Sequence, residues 1–98
     1  MTQKSDLKKI TPKIVNILRS YPIKKAGIFG SYAQGKQKKQ SDVDILIDIT
    51  DRKMSLLDFI HIKHELEDSL GKKVDLVEYD ALKPLIKERV LHEEIRIL

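Results

Sequence analysis

The chain contains no cysteine. That absence excludes a disulfide framework, a thiolate zinc site and a cysteine nucleophile, and it fits a reducing compartment. Long apolar runs are missing as well: no stretch approaches the roughly 18 residues that a membrane span needs, and the first residues, MTQKSDLKKITPK, lack the apolar core of a secretory signal. The expectation is a cytoplasmic protein. No internal repeat or low-complexity tract interrupts the pattern, so nothing marks a linker. A strong excess of one charge is missing too. The 19 basic and 15 acidic residues leave a net +4, too mild a total to argue for nucleic-acid binding, and none is expected.

What is present is a foldable core in a short chain. Ile, Leu, Val and Phe supply 32 of the 98 residues, well above the fraction at which a charged chain stays disordered. One domain, residues 1–98, is expected. A domain of this size has few residues to spare for a deep pocket, which favours a large substrate or a partner that completes the site.

Leu7, Ile10, Ile14, Ile17 and Leu18 recur at spacings of three and four, the period of an amphipathic helix ending near Tyr21-Pro22. Pro12 leaves its start open: the helix begins at Thr11-Pro12, or it begins near Ser5 and bends at the proline. Ile23 to Phe29 reads as a short strand in which Gly27 implies a close backbone approach. Residues 35–41 are loop. From Asp42 to Ile49 apolar residues alternate strictly, with Val43, Ile45, Ile47 and Ile49 on one face and Asp42, Asp44, Leu46 and Asp48 on the other. Ser55 and Asp58 form a capping-box start for a helix to Leu70, striped by Leu56, Phe59, Ile60, Leu66 and Leu70 and stopped by Gly71. Lys73 to Glu78 is a third strand. A last helix begins around Asp80 to Pro84, turns Leu85, Ile86, Val90 and Leu91 inward, and fades after Glu93. The order αββαβα predicts an α+β (α/β-like) domain with a small mixed three-stranded sheet flanked by helices, and one antiparallel connection across the loop from 30 to 41.

Two elements carry chemistry. Residues two apart on a strand point the same way, so Asp42 and Asp44 present two carboxylates toward one point, a donor set suited to a hard divalent cation such as Mg²⁺. A pair of such ions about 4 Å apart can bridge attacking and leaving oxygens in phosphoryl-type transfer. Gly30-Ser31 follows an apolar strand and opens a helix-like segment, where open glycine backbone, a hydroxyl and free N–H groups can hold phosphate oxygens. Other candidates do not assemble. There is no nucleophile elbow around Ser31, no Walker A ending and no evident Ser-His-Asp set. His61, His64 and His92 sit among charged residues and read as solvated. Asp48 shares a face with Asp44 but lies about 13 Å further along, too far to share a ligand.

The string GSYAQGKQKKQSDVDILID resembles the minimal nucleotidyltransferases of the polymerase-beta superfamily, whose signature is Gly-Ser, ten residues, Asp-x-Asp. Here the ten are Tyr32 to Ser41. The resemblance extends over IKKAGIFGSYAQG, SLLDFIHIKHELEDSLGKKVDLV and ALKPLIKERVLHEEI, which look like the short members encoded beside HEPN-type toxins. It implies a third site carboxylate, Asp75 in Lys73-Val74-Asp75-Leu76-Val77, a carboxylate within an otherwise apolar strand. It further implies that Asp42, Asp44 and Asp75 are the catalytic and metal-binding residues for Mg²⁺, with two ions expected, and that Gly30 and Ser31 bind ATP. The implied activity is transfer of AMP from ATP to a tyrosine hydroxyl of a cognate HEPN ribonuclease toxin, so that the chain acts as an antitoxin, with homo- or hetero-oligomers expected. The alternative is a binding module that neutralises a HEPN partner by contact without catalysis. One departure is Gln34, where members frequently carry Arg, which removes a cation from the triphosphate. Lys36, Lys38 and Lys39 form either a solvated loop or a contact to the triphosphate or to an acidic face of the partner.

Overall fold

A computed structural model describes residues 2–50 and 54–98. Helix α1 runs from Thr2 to Leu18 with Pro12 inside it, so the earlier of the two starts is the observed one. Ile10, Ile14, Ile17 and Leu18 make its buried stripe. Strand β1 (Ile23–Phe29) follows, then a one-turn helix α2 (Gly30–Gln34), strand β2 (Val43–Ile49), helix α3 (Leu56–Leu70), strand β3 (Val74–Glu78), a 3₁₀ turn at Tyr79–Ala81, helix α4 (Pro84–Glu93) and a two-residue strand β4 (Ile95–Arg96). Among the described residues no helix is long and apolar enough to cross a membrane.

Among the described residues the sheet has four strands in the order β3-β2-β1-β4, one more than the pattern predicts. The extra strand was invisible to periodicity because it spans only two residues. Backbone bonds from Ala26 N to Leu98 O (3.0 Å) and from Ile97 N to Ala26 O (3.0 Å) nevertheless fasten the tail to β1. β1 pairs antiparallel with β2 and with β4, whereas β2 and β3 are parallel and joined through α3. That crossover is what a parallel neighbour requires.

Ala26, Ile28, Val43, Ile45, Ile47, Val74 and Leu76 turn one sheet face toward α1 and α3, where Ile14, Ile62 and Leu66 meet them. Ser55 caps α3 through the reciprocal pair expected: its Oγ accepts from Asp58 N and its N donates to Asp58 Oδ2, both at 3.1 Å. The helix's inward stripe differs in membership. Ile62 is fully buried with Leu66, while Leu56 and Ile60 face outward, because the stripe runs through Phe59, Ile62 and Leu66 at steps of three and four. Helix α4 departs further. It buries none of its residues, and Leu85 (91% exposed) and Ile86 (52%) point to solvent rather than inward; Leu91 is also exposed. A helical period locates an apolar stripe but not what covers it.

Candidate active site

The strand-to-helix corner at Gly30 positions the site. Gly30 has φ +70°, a conformation that residues with a Cβ rarely adopt. The space where its Cβ would lie is also taken, since an added Cβ would fall 2.0 Å from Asp44 Oδ2. Two independent constraints therefore demand glycine, and the second lets β1's end approach the carboxylate of β2. The ladder fixes the same neighbourhood: Phe29 pairs with Asp44 across β1 and β2, and Asp44 pairs with Asp75 across β2 and β3. Val43 N donates to Lys73 O (3.0 Å) and Val74 N donates to Glu67 Oε2 (3.0 Å), which locks the start of β3 in register.

Directly paired residues share a sheet face, so Asp44 and Asp75 stand side by side on the face away from α1 and α3. Asp42, two residues before Asp44 and just outside β2, has the same parity. Electrostatics reflect the crowding. Burial first, then the charges of Asp75 and Asp42, push the Asp44 carboxyl up to about 6. Asp42 and Asp75 are exposed and Asp44 is half-buried. Among the described residues no three acidic, histidine or cysteine side chains close into a ready-made metal cage. An open cluster of hard oxygens with surplus negative charge suits an ion that also takes water and phosphate oxygens, as Mg²⁺ does.

Ser31 is the second residue of α2, and Phe29 supplies no side-chain cap to that helix. Gly35, with φ +68°, ends the turn, and Lys36 N donates to Ser31 O at 2.8 Å. Beside Gly30 lies a cleft of about 550 Å³ between α2 and α4, lined by Phe29, Gly30, Gln34, Leu85, Ile86, Arg89, Val90 and Glu93. Gln34 donates to Glu93 Oε2 at 2.6 Å and so ties α2 to α4. Arg89 brings into this cleft a cation that the pattern gave no reason to single out, because the contribution of α4 to the site depends on tertiary packing. Lys38 and Lys39, by contrast, border a different cavity, against α1 and the end of α3.

Further along the same face, Tyr79 is buried and its hydroxyl donates to Glu94 Oε2 at 2.5 Å. Burial and that bond raise the hydroxyl's pKa well above its ordinary value. Gly27 makes the pair possible, for a Cβ there would lie 2.0 Å from Glu94 Oε2. This is the close approach that Gly27 implied. His61, His64 and His92 are exposed, as expected.

Residues 12–98 match the family model described as polymerase beta, nucleotidyltransferase. Among relatives, a chain from Methanocaldococcus jannaschii provisionally named a protein adenylyltransferase is 45% identical over 93 residues, covering 95% of this chain and 99% of its own. The protein adenylyltransferase MntA of Thermococcus cleftensis is 43% identical over 77 residues, 79% of this chain and 77% of that protein. Among solved structures, one provisionally described as a minimal nucleotidyltransferase superposes with TM-score 0.80 at 30% identity, over 97% of this chain and 95% of the other. A toxin-antitoxin structure with AMP-PNP gives TM-score 0.79 at 26% identity, over 90% of this chain and 72% of that one.

Proposed function

Because the chain belongs to the polymerase-beta nucleotidyltransferase family, we propose that it is a protein adenylyltransferase that moves AMP from ATP to a tyrosine hydroxyl of a cognate HEPN-type toxin, and so acts in the cytoplasm as the antitoxin. The observation that carries this reading is the contact between Gly30 and Asp44, which brings the Gly-Ser corner and the carboxylate strand to one place. The relatives named as protein adenylyltransferases and the toxin-antitoxin structure holding AMP-PNP support the donor and the class of acceptor.

Asp42, Asp44 and Asp75 would hold Mg²⁺, which supplies charge neutralisation for the triphosphate when bound. Gly30 lets phosphate oxygens approach the backbone, and the Ser31 hydroxyl donates to one of them. Arg89, in the cleft beside Gly30, takes over the cationic role that Gln34 cannot fill. The acceptor oxygen attacks the α-phosphorus in line, a phosphodiester bond to AMP forms, and pyrophosphate leaves. Asp75, exposed at the rim, draws the acceptor's proton. The chain's contribution is thus placement and fixed charge. The acceptor brings its own positioning surface, because Leu85 and Ile86 beside the cleft are open to solvent and enclose nothing.

The test is incubation with Mg²⁺, ATP and the small helical protein encoded next to it, followed by intact mass spectrometry of that neighbour and an assay of its ribonuclease activity. Added AMP on a tyrosine with loss of ribonuclease activity is the expected result. Inhibition with no mass change, unaffected by Asp42→Asn, would overturn the enzyme in favour of a contact inhibitor.

A further inference from the structure

Helix α4 stands beside Gly30 with no apolar stripe to seat it, since none of its residues is buried and Leu85 and Ile86 face solvent. Packing of such a stripe is what ordinarily fixes a helix in a fold. Here two consecutive glutamates at its C-terminal end grip the rest of the molecule: Glu93 Oε2 accepts from Gln34 Nε2 at 2.6 Å on the side of α2, and Glu94 Oε2 accepts from the Tyr79 hydroxyl. Successive residues at a helix end stand about 100° apart around its axis, so the two bonds leave in different directions. One such bond is a pivot, whereas a second at another angle also fixes the roll of the helix. Strand β4 fastens the chain beyond the helix to β1 through backbone bonds. It holds the tail and leaves the roll to the side chains.

The roll matters because Arg89 lies one turn before Glu93 and lines the same cleft beside Gly30. Any rotation of α4 carries Arg89 with it.

Tyr79 is itself firmly held. Its side chain is 4% exposed, and Lys25 Nζ stands 4.5 Å from the centre of its ring. Gly27 keeps the space for its bond, because a Cβ there would lie 2.0 Å from Glu94 Oε2 and 3.0 Å from Tyr79 Oη. Gly27, unlike Gly30 and Gly35, has no positive φ, so the backbone would accept alanine. What demands glycine is the room for this pair. Three elements thus converge on one bond: β1 through Gly27, the turn after β3 through Tyr79, and the end of α4 through Glu94.

We propose that Tyr79 is a positioning residue for the transfer: through Glu94 it fixes the roll of α4 and so aims Arg89 at the nucleotide beside Gly30, an inference that rests on the nucleotide contact proposed for Arg89. The test compares the parent, Tyr79→Phe, Arg89→Ala and the double variant, with Ile62→Val as a control that loosens the covered face alone. Two quantities are read on the full chain: hydrogen–deuterium exchange of the α4 and α3 amides without nucleotide, and the Kd for AMP-PNP with Mg²⁺ by calorimetry. Tyr79→Phe should speed exchange in α4 about fivefold and leave α3 within about twofold of the parent. Its Kd should rise about fivefold, the scale of one lost hydrogen bond. In the Arg89→Ala background the same change should cost less than about twofold, because a residue that acts through Arg89 then has nothing left to aim. Ile62→Val should melt lower yet keep its Kd within about twofold. If Tyr79→Phe fails to fold, Gly27→Ala, which displaces the Glu94 carboxylate from the β1 side, is made in the same two backgrounds and carries the test. Parental exchange in α4, parental affinity in Tyr79→Phe while Arg89→Ala binds weakly, an equal loss with and without Arg89, or an equal loss in Ile62→Val would each overturn this proposal alone. Parental affinity in Arg89→Ala would overturn it together with the nucleotide contact on which it rests.

Discussion

On the face of the sheet that α1 and α3 cover, Ile28, Ile45 and Ile47 are fully buried against Ile14, Ile62 and Leu66. On the opposite face the same strands carry Asp44 beside Asp75 and two glycines whose missing Cβ atoms make room for the carboxylates of Asp44 and of Glu94, the latter bonded to Tyr79. The first face gathers only apolar surface and stabilises the fold. The second gathers carboxylates that repel one another, which costs stability and, on the proposed function, is where a cation would bind. Separation of the two tasks by sheet face allows 98 residues to hold both.

The largest effect that would break this division is on catalysis. Asp42→Asn should cut transfer by about a thousandfold, the scale seen when a charge-stabilising group is lost, and leave the melting temperature near that of the parent, because Asp42 is exposed and outside β2. Incorporation of labelled AMP measured beside a thermal melt checks it. Near-parental transfer would separate the carboxylates from the chemistry.

On the covered face the prediction inverts. Leu66→Ala should cost about 2–5 kcal/mol of stability through lost burial and the cavity left behind, while Ile86→Ala on α4 should change stability by about 0.5 kcal/mol or less, since that side chain is half exposed. Denaturant midpoints distinguish them. A large cost at Ile86 would mean that α4 is as much a part of the core as α3.

The legibility of the sequence divides along the same line. Alternation from Val43 to Ile49 gave β2 and its faces, and Ser55 with Asp58 gave the start of α3, because strand period and capping are local. The Gly-Ser and Asp-x-Asp spacing brought forward Gly30, Ser31, Asp42 and Asp44 before any coordinates. Beyond the two-residue strand β4, what depends on tertiary assembly was not legible. The contact of Gly30 with Asp44 depends on the pairing of β1 with β2, and Arg89 reaches the cleft only through the docking of α4. Tyr79 and Glu94 are apart in sequence and meet over Gly27 only when β1, β3 and α4 are assembled. The outward turn of Leu85 and Ile86 could not be read because an apolar stripe looks alike whether its cover belongs to the same chain or to another.

Smaller effects sharpen the assignment within the open face. Ser31→Ala should raise the Kd for the nucleotide by a few-fold to about tenfold, corresponding to a hydrogen bond of about 0.5–1.5 kcal/mol, and Arg89→Ala by somewhat more, since the phosphate bond proposed for it would be charge-assisted. Calorimetric titration with AMP-PNP and Mg²⁺ measures both. Unchanged affinity in Ser31→Ala would leave that hydroxyl a merely local role at the start of α2, and unchanged affinity in Arg89→Ala would leave Gln34 without a substitute.

The smallest effect is thermodynamic and has a definite sign. In the folded chain Asp44 titrates at about 6 rather than at its ordinary 3.8, mainly through burial and then through Asp75 and Asp42. The folded state therefore holds a proton that the unfolded state has already released between about pH 4 and pH 6, and stability falls as pH rises through that window. Above it the full cost of the charged Asp44 is present; below it the folded carboxyl is neutral and the cost is gone. Asp44→Asn, measured in EDTA, should then melt higher than the parent at pH 7.5, with the gain shrinking through pH 6 and vanishing near pH 4. Because Asp44 is only half-buried, solvent screens part of the effect and a shift of a few degrees is expected. Addition of Mg²⁺ should reverse the order at pH 7.5, since the parent gains a bound ion and the variant loses a ligand. A gain that persists unchanged at pH 4 would place its origin in packing rather than in the crowded charge, and would remove the electrostatic contrast between the two faces.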